Sequence, residues 1–145
     1  MATNTTITSA NSVLILTASL FPAPQKIQGF ASDKAFAIDT PDIVETQMGV
    51  DGRMTAGFTP ASVKQTISLQ ADSPSVSFFT TLTQAMKTTR EVIYLSGTLS
   101  LPSTGENFVL TRGVLTTPKQ APDGQKVLQA RDYVITWESV NASPL

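Results

Sequence analysis

The chain has 145 residues, the size of one domain, and 41% of them are apolar, enough for a packed core. Only 14% are charged, with 10 basic and 11 acidic residues (net −1), while 14 serines and 21 threonines supply most of the polarity. The absence of cysteine and histidine excludes disulfides, thiolate nucleophiles, Cys/His zinc sites, a Ser-His-Asp triad and any histidine base. The near-zero charge excludes a strongly basic field able to grip duplex nucleic acid.

Met1–Asn11 is polar and threonine-rich and reads as a flexible N-terminal arm. Ser12–Ala18 is a continuous run of β-formers, expected to be a strand covered on both faces. The wider apolar stretch Val13–Phe21 has the length of a signal-peptide core, yet no Lys or Arg precedes Lys26, so a buried strand is the better reading. Pro22 and Pro24 close it. Lys26–Phe30 and Ala35–Ile38 read as short extended pieces, and Thr40-Pro41-Asp42 punctuates again.

Ile43–Gly49 and Arg53–Phe58 flank Val50-Asp51-Gly52, a strong hairpin signal, and residues 43–58 read as a protruding hairpin. With Asp51 and Gly52 as the two central residues, Met48 would face Thr55 and Thr46 would face Gly57. Both faces then mix apolar and polar residues. Two accounts fit: the hairpin lies on a neighbouring subunit, or a local bulge shifts its phase.

Val63–Leu69 alternates cleanly, with Val63, Ile67 and Leu69 on one face, Lys64, Thr66 and Ser68 on the other, and Gln65 as a polar interruption of the apolar face. Asp72-Ser73-Pro74-Ser75 announces the one good helix, with Ser73 as N-cap and Pro74 at the first helical position. Phe78 or Phe79, Leu82, Ala85 and Met86 form its apolar stripe, and Lys87 and Arg90 suit its C-terminal end. Glu91–Leu101, Asn107–Thr117 and Arg131–Val140 read as strands, the last with Tyr133, Ile135 and Trp137 on one face. Pro118–Gly124 is a loop, Lys126–Ala130 extends briefly, and 141–145 reads as a flexible tail. The whole predicts a single mainly β domain, a small β-barrel or sandwich of six to eight strands with one flanking α-helix.

No phosphate loop, dinucleotide fingerprint or calcium loop occurs. Glu45 and Glu138 fall on separate strands, a weak match to a glycosidase acid-base pair. Two glycosylation-type triplets, at Asn4 and Asn141, are what a threonine-rich chain produces by chance. The residues point to a scaffold without catalysis, cofactor or metal.

Gln47-Met48-Gly49-Val50-Asp51-Gly52-Arg53-Met54, then Val63–Leu69, then Asp72-Ser73-Pro74-Ser75, and finally Tyr133-Val134-Ile135-Thr136-Trp137-Glu138 stand in an order and spacing that resembles the tail tube proteins of contractile-tailed bacteriophages. The resemblance covers roughly residues 27–139. It implies a virion protein similar to type VI secretion tube subunits, assembled in the host bacterial cytoplasm into hexameric rings. The rings would stack inside a sheath into the conduit for genome ejection, alongside baseplate and tail-terminator proteins, with passing DNA bound without sequence preference and no membrane partner. In that setting Met48, Val50, Asp51, Arg53 and Met54 are expected at inter-ring or inter-subunit contacts. Lys64, Thr66 and Ser68 are expected to face the lumen, with Glu45 beside them neutralising Lys64, the alternative being that this face is a solvated outer wall. The alternatives are a secretion-system tube subunit and a monomeric carbohydrate-binding β-sandwich using Trp137 or Tyr133 as its platform.

Overall fold

The computed structural model describes residues 12–19, 23–30, 35–102 and 104–144; the expected arm at 1–11 lies outside them. Its elements are β1 (Val13–Ala18), β2 (Gln25–Lys26), β3 (Phe36–Ile38), β4 (Val44–Met48), β5 (Met54–Phe58), β6 (Val63–Leu69), α1 (Val76–Thr89), β7 (Leu95–Leu101), β8 (Glu106–Pro118) and β9 (Arg131–Pro144). Seven strands pair antiparallel in the order β2-β1-β7-β8-β9-β6-β3, and the sheet curls into a half-barrel. Strands β4 and β5 form a separate two-stranded sheet.

The core lies on one face of the large sheet, under α1. Leu14, Leu16, Ile67, Leu69, Leu95, Leu99, Leu110, Leu115, Tyr133, Ile135 and Trp137 are buried there against Phe78, Phe79 and Leu82 of the helix. Each such side chain contributes about 1.5–3 kcal/mol by leaving water. Phe79 stacks on Tyr133 with ring centroids 4.4 Å apart. The alternation expected of β6 and β9 is what places these residues inward. On β1 only Leu14, Leu16 and Ala18 are buried, so that strand is covered on one face rather than two.

Gln65, the polar interruption, is fully buried because its Oε1 accepts a 2.9 Å hydrogen bond from the indole Nε1–H of Trp137. Beside Trp137 the opposite strand carries Gly113, where an added Cβ would stand 2.3 Å from the indole Cε3. The indole therefore fills the space a side chain would need. One residue earlier Arg112 adopts φ 48°, and the inward-facing set on β8 changes phase, from Phe108 and Leu110 to Gly113 and Leu115.

The helix begins two residues later than its Ser-Pro signal suggests. Ser75 is the N-cap, with no side-chain capping bond. The two serines serve a longer-range purpose: Ser73 Oγ donates to the carbonyl of Gln28, and Ser75 Oγ accepts from the Gln28 N–H at 2.7 Å. Together they clamp the segment after β2 to the start of α1. Gly29 follows at φ 71°, close enough that a Cβ would meet Ser73 Oγ at 2.5 Å. At the other end Arg90 takes the left-handed conformation and its N–H closes on the Met86 carbonyl.

Three further boundaries differ from the sequence reading. Residues 91–94 precede β7 without joining it, and 126–130 contribute only an isolated bridge between Gly124 and Leu128. The expected flexible tail continues β9 to Pro144, because β8 runs long enough to pair with it, Asn107 opposite Ser143 and Val109 opposite Asn141.

Candidate assembly surfaces

The hairpin corrects the register read from its turn. The Gly52 N–H donates to the Gly49 carbonyl at 2.9 Å, and the Gly49 N–H donates to the Arg53 carbonyl at 2.8 Å. Val50 and Asp51 are thus the central residues of the turn, and Gly52, at φ 84°, is the left-handed residue of a bulge. Asp51 Oδ1 accepts from the Arg53 N–H at 3.1 Å and fixes the loop. Met48 consequently faces Met54, Thr46 faces Ala56, and Val44 faces Phe58. A one-residue slip moves a whole strand's side chains to the other face. The mixed faces disappear: Val44, Thr46, Met48, Met54, Ala56 and Phe58 share one apolar face, and Glu45, Gln47, Thr55 and Gly57 share the polar one.

Among the described residues nothing covers that apolar face. Every residue from 42 to 58 is exposed, with Met48 at 68% and Phe58 at 73%. Of the expected contact residues, Met48 and Met54 lie side by side on the apolar face. Val50 stands at the turn, fully exposed, and Asp51 and Arg53 belong to the loop. Sequence reasoning missed Val44, Ala56 and Phe58; counting Gly49 as part of a longer loop would have found them.

The second surface is the face of the large sheet turned away from α1. Ile15, Thr98 and Val109 are aligned across β1, β7 and β8 there, and Val114, Thr136 and Lys64 across β8, β9 and β6. Thr116 and Thr136 share a 3.2 Å hydroxyl contact, and Ser100 Oγ donates to Asn107 Oδ1 at 2.9 Å. Charge on this face is balanced: Arg112 lies over the Tyr94 ring at 4.5 Å and meets Glu138 at 3.9 Å. Lys64 and Thr66 lie on this face. Ser68 does not offer itself to a channel, because it is buried and its hydroxyl donates to Asp132 Oδ1 at 2.6 Å. Glu45 sits on the polar face of the hairpin, and among the described residues no ion pair joins it to Lys64.

Trp137 and Tyr133 are buried in the core, so neither can form a sugar platform. Among the described residues no cluster of ligating side chains could hold a metal ion. A cleft of about 230 Å³ between β2 and the start of α1 is walled by Gln25, Lys26, Gln28, Ser75, Ser77 and Thr81, among others, and contains no carboxylate.

The fold is shared with chains of contractile injection particles. It is similar to a chain of the anti-feeding prophage baseplate, symmetrised six-fold (TM-score 0.57, 8% identity, 92% of this chain and 93% of that one). It is also similar to a chain of the extended sheath-tube complex of an extracellular contractile injection system (0.60, 10%, 91% and 88%) and to one of the anti-feeding prophage tube-terminating cap (0.59, 10%, 100% and 95%). No curated protein matches the sequence. Residues 5–141 match the family described as tail fiber protein gp32, and the chain belongs to that family.

Proposed function

We propose that this tail component is the tube subunit itself: a non-catalytic protein that closes into six-membered rings and stacks them into a conduit for the genome. The observation that carries the reading is the hairpin, whose apolar face is complete and uncovered. A lone two-stranded hairpin is marginal in water, so one with four large exposed apolar side chains needs a partner surface. Covering Val44, Met48, Met54 and Phe58 on a neighbouring subunit supplies about 1–2 kcal/mol each. The serine- and threonine-rich sheet face suits the channel, since hydroxyls bind water and balanced charge releases few counterions from passing phosphate. Sheath, baseplate and terminator proteins are the partners this role requires, in a virion assembled in the host cytoplasm. Likeness to baseplate and cap chains supports a second reading, a single ring at one end of the tube.

Negative-stain microscopy of the purified chain tests both. Tubes support the first reading, single rings the second, and a monodisperse monomer at high concentration refutes them. Met48→Asp and Phe58→Asp are expected to abolish assembly without changing the melting temperature, because both positions are solvated in the subunit.

A further inference from the structure

The chain has no cysteine and four methionines, so thioethers are its only oxidisable sulfur. Met48 and Met54 are direct cross-strand partners next to the hairpin turn, and both are more than half exposed. Met86, by contrast, packs half-buried against the core from α1. The two exposed thioethers therefore lie side by side in the apolar face that Proposed function assigns to subunit contact.

We propose that Met48 and Met54 form an oxidation site that decides whether a free subunit can assemble; this rests on the hairpin being the contact. The reactant is a peroxide. A sulfur lone pair attacks one oxygen of hydrogen peroxide, the O–O bond breaks, and the departing hydroxide takes the proton from the S–OH group so formed, leaving S=O and water. Sulfur is oxidised to the sulfoxide and the peroxide is reduced. Each conversion replaces a soft apolar atom by a strongly polar S=O group. Two such groups on one face oppose its withdrawal from water, while the domain core, which contains neither methionine, is untouched. Once rings have formed, the contact itself shields both sulfurs. Oxidation thus acts before assembly, and methionine sulfoxide reductases can reverse it.

The test treats free subunits and preassembled protein with hydrogen peroxide, maps added oxygen by peptide mass spectrometry, and follows assembly by light scattering. Free subunits should gain oxygen at Met48 and Met54 before Met86. Their half-assembly concentration should rise about tenfold or more, with the Trp137 emission unchanged. Preassembled protein should resist at the same two residues. The Met48→Leu, Met54→Leu double variant should assemble with or without peroxide. Subunits that carry both sulfoxides and still assemble normally overturn the proposal. If Val44→Asp and Phe58→Asp also assemble normally, the hairpin contact falls with it; if they do not, the contact stands and only the oxidation site is lost.

Discussion

Replacing Gly113 by alanine sets two effects against each other. Gly113 has an ordinary negative φ, unlike Gly29, Gly52 and Gly105. Backbone entropy alone therefore predicts that alanine stabilises the protein by about 0.4–1 kcal/mol. The packing predicts the reverse. The new Cβ would lie 2.3, 2.5 and 2.8 Å from Cε3, Cζ3 and Cδ2 of Trp137, where carbon atoms prefer about 3.5–4.0 Å. The indole cannot swing away cheaply, because it is fully buried and its Nε1 is held by Gln65. Overpacking of this kind costs about 1–3 kcal/mol and exceeds the entropic gain. Set against that gain, the net loss reaches about 2.6 kcal/mol, which for a domain of this length lowers the melting temperature by up to roughly 10 °C. Trp137 is the sole tryptophan, so its emission reports both the melt and the local displacement. A variant that melts at or above the parent temperature with unchanged emission refutes the reasoning.

Other perturbations follow from the same geometry. Gly29→Ala must adopt a left-handed φ and collide with Ser73, and should lose about 1–3 kcal/mol in urea denaturation. Gln65→Leu removes the unpaired buried amide NH2 of Gln65 and leaves the single Trp137 Nε1–H unpaired instead, and should change stability by no more than about 1 kcal/mol, whereas Gln65→Ala leaves a cavity and should cost about 2 kcal/mol or more. If the outer sheet face lines the channel, Thr66→Lys with Thr136→Lys should leave tubes intact but slow genome ejection, with recovery at high salt. Ejection at the parent rate would place that face outside.

Periodicity made the frame legible. The alternation of β6 and β9 and the spacing of Phe78, Phe79 and Leu82 are local consequences of which face meets the core. What escaped depends on partners distant in sequence. Gln65 looks like an interruption until Trp137 is placed across the strand pair. Ser73 Oγ does accept from the Ser75 N–H at 3.2 Å, as a cap would, but the same hydroxyl also donates to the distant Gln28 carbonyl. The end of β9 looks frayed until β8 runs alongside it. The hairpin stayed ambiguous for a different reason: Asp-Gly fits both a two-residue turn and a bulged three-residue loop, and the hydrogen bonds of Gly49 decide for the bulge, one of the two accounts the sequence allows. That single ambiguity turned an amphipathic hairpin into a seemingly mixed one and hid Val44, Ala56 and Phe58.

The pairing of β8 with β9 also has a mechanical meaning. Both strands extend from Glu106 opposite Pro144 to Pro118 opposite Tyr133, interrupted by one bulge near Thr116. Their hydrogen bonds lie across the strand direction. A pull along the strands loads the whole ladder in shear, so many bonds must yield together. A pull that parts β4 from β5 at their open end peels one pair at a time. Under force the chain would therefore be stiff through the body of its sheet and compliant at the hairpin, so that tension deforms the hairpin before it reaches the core.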